Sequence, residues 1–305
     1  MTFLGRGSGC RWWVLRILAC VLWAAGTVAH GQASAPLSPA ELVRRTARNE
    51  IKAANDVNEP RFMFRSRKQT AHGSQTRIYV EAKEAIAGLL VAINDQPLNP
   101  EQRQAEEQRI DRFVNDPSEL QHKRKQEKED AQRTLQIMKA LPDAFIYEPA
   151  GTETGTPGVG KPGDELVKLT FRPDPKYTPP THTEQVLTGM RGYLLIDANR
   201  YRIATIHGAL FRDVNFGWGI LGHLDKGGHF LVEQGDVGGA WNITRMQLDF
   251  TGKIMFFKGL SIKSDEVFSD FRQVPQDLTF AQAVPMLKKE EAELAENQQQ
   301  NGNQK

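Results

Sequence analysis

Between Trp241 and Lys263 the chain alternates. Trp241 and Ile243, then Met246, Leu248 and Phe250, then Leu260 and Ile262 are apolar, with Asn242, Thr244, Arg245, Gln247, Asp249, Ser261 and Lys263 among them. A period of two places the apolar set on one face of an antiparallel sheet and leaves the other face to water. Asp197-Ala198-Asn199-Arg200, Lys226-Gly227-Gly228, Gly238-Gly239 and Thr251-Gly252 read as hairpin turns, so residues 186–271 are predicted to meander up and down. Earlier strands are predicted at Phe62–Arg67, at Arg77–Glu81 after the turn His72-Gly73-Ser74, and at Ile86–Ile93, which is apolar enough to be covered on both faces. Two more, Ala144–Glu148 and Leu166–Phe171, flank a Gly/Thr/Pro-rich segment, Gly151–Gly163, that reads as an exposed loop.

Helical spacing marks the remaining segments. Ser38-Pro39-Ala40-Glu41 is a capping box that opens a helix carrying Leu42, Val43, Ala47, Ile51 and Ala54, ending before Pro60. Asn99-Pro100-Glu101-Gln102 and Asp116-Pro117-Ser118-Glu119 start two more within an insertion at 99–141. The first is expected to bury Ile110, Phe113 and Val114. The second has only Ala131 as an apolar residue between Gln121 and Thr134. It reads as a solvated helix laced by Glu127 with Lys123 or Lys128, or as an arm over 117–139 that docks a partner. Thr279-Phe280-Ala281-Gln282 can cap a last helix to Leu294, and the polar tail within 291–305 is predicted disordered from Glu296 on. The predicted fold is α+β: one β-rich domain over 36–290, its large twisted antiparallel sheet an incomplete β-barrel, with an N-terminal helix, an inserted helical pair and a C-terminal helix.

Composition then sets the compartment. Arg6, Arg11 and Arg16 precede the apolar run Ile17–Ala29, and small residues follow at Gly31, Ala33 and Ala35, the order of a secretory signal peptide over residues 1–35. The run of 13 residues falls short of the roughly 20 that span a bilayer. Cleavage after Ala33 or Ala35 is expected. The alternative is a retained anchor, with membrane contact through the N-terminus. Either way the destination is the periplasm or cell envelope. Both cysteines, Cys10 and Cys20, lie in this leader, so the mature chain has neither disulfide nor thiolate site. The leader holds three arginines and no acid, so 36 basic residues face 37 acidic ones in the rest, and nucleic acid is not an expected partner.

Candidate chemistry is sparse. Gly158–Gly163 and Gly217–Gly222 both match G-x-G-x-x-G, but Pro162 and Gly227-Gly228 break the helix each would need, so no dinucleotide or other cofactor is expected. His223, Asp225 and His229 fit no established ligand spacing, and no metal is expected. No G-x-S-x-G elbow accompanies His207, Asp213 or His223, so the chain is read as a non-enzyme, with an unrecognised hydrolase as the minor alternative. Phe211–Leu221 is an unusual aromatic–glycine patch, either a packed corner or the wall of an apolar cavity.

The order of leader, helix, three strands, helical element and long meander resembles the LolA/LolB-like group of bacterial envelope proteins, over residues 38–272. Phe171-Arg172-Pro173 is similar to an arginine–proline pair in such carriers. The resemblance implies an incomplete barrel, covered by helices, that holds a lipid or a lipoprotein acyl chain. The expected cavity residues are Phe216, Trp218, Phe230, Trp241 and Phe250, from the alternating apolar set and the aromatic patch. The competing reading is a structural module at the membrane that contacts an envelope protein through helix 117–139.

Overall fold

The computed structural model describes residues 37–216, 222–254 and 258–302. Helix α1 (Pro39–Ala54) starts where the cap predicts, with the Ser38 side chain accepting from the Glu41 N–H. Strands β1 (Arg61–Thr70), β2 (Gly73–Glu81) and β3 (Ile86–Ile93) follow as an antiparallel run, and a two-residue β4 (Gln96–Pro97) closes its edge. Asn99 and Gln102 form the capping box of α2 (Pro100–Asn115), and Asp116 caps α3 (Pro117–Ala144). Val114 is exposed, whereas Ile110 and Phe113 of α2 join the core as expected.

β5 (Phe145–Thr154) and β6 (Glu165–Pro173) come next. The short α4 (His182–Gln185) and a 3-10 turn (Val186–Gly189) lead into β7 (Met190–Asp197), β8 (Arg202–Leu210), β9 (Val214–Phe216) and β10 (Gly222–Leu224). The long strands β11 (His229–Val237), β12 (Ala240–Ile254) and β13 (Lys258–Val274) complete the meander, and α5 (Phe280–Gly302) ends the described chain. Among the described residues the sheet has 13 strands in the order β4-β3-β2-β1-β13-β12-β11-β8-β7-β6-β5, with β10 beside β12 and β9 beside β10. Its ends do not meet. The fold is the α+β open half-barrel that the patterning predicts.

Three predicted details change. Thr251-Gly252 lies inside β12, paired with Ser261 and Leu260, and is not a turn. α5 runs past Leu294, so residues 296–302 are helical; glutamate and glutamine extend a helix already nucleated by packing. The segment after β5 is not a free loop. Gly160 N–H donates to Gln234 O at 2.8 Å and Asp236 N–H to Gly160 O at 3.1 Å, filling the edge of β11 beyond the point where β8 stops pairing. Gly158 and Gly160 have φ of 89° and 70°, and this turn, not a phosphate, accounts for the glycines.

The pairing register defines two faces. Phe230, Leu248 and Ser264 share one, here the inner face, and Arg245, Val267 and Arg67 share the other. Two bulges keep apolar residues inward. The register of β11 and β12 slips opposite Thr244, which puts Ile243 on the same face as Met246 despite the odd spacing. Asp270, at φ 57°, does the same for Phe268 and Phe271, whose rings both meet Phe64, at 6.1 and 5.3 Å.

The helices cover opposite faces at opposite ends. α1 and the end of α3 pack on the inner face of β5–β8, around Leu169, Leu194, Ile196 and Ile203. α5 and α2 pack on the outer face of β1–β3, around Met63, Ile78, Val80 and Leu89.

Candidate functional site: a trough under α3

α3 switches character along its length. After the polar stretch come Leu135, Ile137, Met138 and Leu141, and Pro142 ends the apolar turn just before β5. Tyr147 fixes this end by donating its hydroxyl proton to the orphan Leu141 carbonyl at 2.6 Å, and burial pushes that phenol's pKa up. The helix thereby lies across the inner face of the sheet without filling the space beneath it.

An inner chamber of about 340 Å³ opens there, and the described residues that line it are all apolar, including Leu141 from the helix and Phe171, Met190, Phe230, Leu248 and Phe250 from the sheet. An outer chamber of about 860 Å³ extends toward the end of α1 and the β2–β3 turn. Its wall mixes Val232, Trp241 and Met246 with Glu50, Arg61, Glu81 and Arg202. Ile137, Leu141, Ile206 and Phe230 line both chambers, so the two adjoin at these four residues and form one trough. At the rim, Val57, Ile243 and Ile262 are 84%, 43% and 40% exposed. Apolar residues left in water around a cavity are the ordinary sign of a binding mouth.

Glycines seat the aromatic walls. A Cβ on Gly208 would stand 2.5 Å from Phe230 Cε1 and 2.7 Å from Met190 Sδ, and one on Gly228 would stand 2.5 Å from Phe250 Cδ1. Each ring therefore lies flat over a neighbouring strand. The charged groups of the outer chamber are engaged by the fold. Glu50 accepts from Ile203 N–H at 2.7 Å and Arg202 Nε at 3.1 Å; burial raises its pKa, partly offset by Arg202 and that N–H. Glu81 accepts from Phe62 N–H at 2.8 Å, and burial raises its pKa as well.

Phe230 and Phe250 line the inner chamber, and Phe230 and Trp241 the outer one. Trp241 also has structural work. Its Nε1–H donates to Ile203 O at 2.9 Å, the Arg202 guanidinium lies 5.7 Å over its ring, and it packs on Leu166, Leu195 and Ala204. Phe216 packs against the main core and lines neither chamber. Trp218 lies outside the described residues. Sequence reasoning missed Ile137 and Leu141, whose signal is the return of helical apolar spacing after Thr134.

The histidines lie elsewhere. His207 stacks on Tyr193 at 5.2 Å, on the outer face, with His229 at 6.5 Å; burial and that second ring hold its pKa below the ordinary value. His223 Nε2 lies 3.1 Å from Asp225. Among the described residues no three His, Cys, Asp or Glu side chains come together as a metal site. No helix among them is long and apolar enough to cross a membrane, and the predicted leader lies outside them.

No family model and no curated protein matches the sequence. Among solved structures, the chain is similar to a DUF1329 family protein from Desulfovibrio piger ATCC 29098, with 8% identity over 78% of this chain and 94% of that one, at a TM-score of 0.27. It is similar as well to a domain from Vibrio parahaemolyticus named for outer membrane lipoprotein sorting, with 11% identity over 75% and 91%, at a TM-score of 0.26.

Proposed function

We propose that this chain is an exported, non-enzymatic carrier that holds an apolar or lipid-like ligand, such as a lipid or lipoprotein acyl chain, in the trough under α3. The observation that carries the reading is the inner chamber: about 340 Å³ with no polar side chain among the described residues of its wall. Such a space gives a hydrocarbon chain nothing to desolvate and offers water no partner. At about 0.8 kcal/mol per buried CH₂, burial of a chain segment supplies several kcal/mol, enough to exceed part of the cost of association. Phe230 and Phe250 are the ligand-contacting residues, with Trp241 at the outer wall. The leader is read as a signal peptide that delivers the protein to the envelope.

Native mass spectrometry of the protein purified from membranes tests this, together with uptake of a fluorescent fatty acid by the stripped protein. A co-purified lipid mass and saturable uptake are expected. A clean apo mass with no uptake overturns the carrier.

A second reading keeps α3 as an interaction surface, because most side chains from Gln121 to Thr134 are exposed. The helix cannot be deleted as a test, since Ile137 and Leu141 form the trough wall. Reversing the exposed Lys125 and Lys128 to glutamate should abolish capture of an envelope partner while ligand uptake persists. Capture unchanged by the reversal removes this surface from consideration.

A further inference from the structure

The trough is divided by chemistry as well as by shape, and the division says how many chains it takes. At roughly 30 Å³ per small group, the share of one liquid water, the inner chamber's 340 Å³ holds on the order of a dozen methylenes. That is one chain, not two side by side. The outer chamber is larger, at about 860 Å³, but its wall includes the exposed carboxylates of Asp56 and Glu59. A second hydrocarbon chain laid there would remove water from these groups and return no hydrogen bond. A polar head would keep them solvated.

Resting on the carrier reading above, we propose that the protein selects single-chain amphiphiles, with Phe230, which lines both chambers, as the specificity-determining residue where they meet. The chain passes Phe230 into the inner chamber, and the head stays among the charged residues of the outer one. Gly208 is part of the device, because a Cβ there would stand 2.5 Å from Phe230 Cε1 and push the ring from its place between the chambers.

The test compares a lysophosphatidylcholine with a phosphatidylcholine bearing the same saturated chain. Each is equilibrated with the full, delipidated protein and retained ligand is read by native mass spectrometry. The wild type should retain one lysolipid per protein and bind the two-chain lipid at least tenfold more weakly. Phe230→Ala opens the boundary between the chambers and should cut that discrimination severalfold. Leu248→Trp fills the inner chamber and should weaken lysolipid binding about tenfold. Ile262→Trp, at a position 40% exposed and so tolerant of a larger side chain, should weaken it in the same direction if Leu248→Trp does not fold. Equal retention of both lipids by the wild type, or discrimination untouched by Phe230→Ala, overturns the single-chain inference while leaving the carrier intact. No retention of either lipid, with no fluorescent fatty acid taken up, overturns both.

Discussion

The two ends of one sheet solve the same packing problem in opposite ways. At the β1–β3 end, α5 and α2 lie on the outer face and close a filled core, with Phe280, Leu287, Ile110 and Ile78 at most 2% exposed. At the β5–β8 end, α1 and α3 lie on the inner face and fill only part of it, and Phe230 and Phe250 remain half-buried beside a void. The difference follows from the helices. α5 presents Phe280, Ala283, Val284 and Leu287 at successive turns against the sheet, whereas α3 gives Leu120 to the filled end, is polar from Gln121 to Thr134 apart from Ala131, and brings apolar residues to the inner face only near its end. A sheet covered by a largely polar helix keeps oily surface that its own chain does not satisfy.

The comparison breaks first if truncation costs the same at both ends. Phe280→Ala empties a closed core and should cost about 3–5 kcal/mol. Phe250→Ala enlarges a space that already exists and should cost under about 2 kcal/mol, since the cavity term is largely present in the wild type. Urea denaturation of both variants measures this. Equal losses would show that the chamber is closed by packing in solution.

Glu106→Ala should come next. Glu106 on α2 accepts from Leu90 N–H at 2.7 Å and from Arg109 at 2.7 Å, while Arg109 donates to Gly88 O, so the helix pairs the free edge of β3. An unpaired strand edge is a site for association with another chain. Removing Glu106 leaves buried donors without an acceptor and should cost about 2–3 kcal/mol, with new concentration-dependent aggregation in light scattering. Stable, monodisperse protein would show that the edge needs no cover. The opposite edge, β5, has Pro149 and a bulge in place of a helix.

Much of the fold was legible because its signals are local. The caps at Ser38, Asn99 and Asp116, the turns at 197–200 and 238–239 and the alternation of β12 each involve neighbours in sequence. The bulges at Thr244 and Asp270 and the docking of Gly158–Gly160 on β11 were not legible, because each is decided by a partner strand far along the chain. The trough was only half legible. Strand period shows that Phe230 and Phe250 point the same way as Leu248; it does not show that α3 stops short of them. Trp241 illustrates the same limit, since its hydrogen bond to Ile203 is a tertiary fact.

Gly208→Ala sharpens the comparison at smaller cost. The added methyl displaces the Phe230 ring and Met190, so about 1–2 kcal/mol of stability should be lost. Retained fluorescent fatty acid should fall with it, because the displaced ring lines both chambers. Unchanged uptake would mean that Phe230 does not line the passage.

The smallest effect lies in pH, and its sign differs between the two ends. Glu50 and Glu81, at the trough, have pKa values raised by burial above the ordinary 4.5. Glu106, at the filled end, would be raised by burial, but Arg109, the Leu90 N–H and Arg77 hold it below that value. Stability rises with pH wherever the unfolded chain binds more protons, and falls wherever the folded chain does. As pH climbs through the ordinary range, Glu50 and Glu81 keep protons that the unfolded chain has released, so stability falls until their folded pKa values are passed. Glu106 works the other way: its contribution is full above the ordinary value and is lost as pH drops through its lowered one. Glu50→Gln should therefore flatten the decline in urea midpoint as pH rises above the ordinary carboxylate value, and Glu106→Gln should flatten the loss below it. If Glu50→Gln leaves that decline as steep as in the wild type, Glu50 is hydrated in solution, and the outer chamber is wetter and wider than its wall here implies.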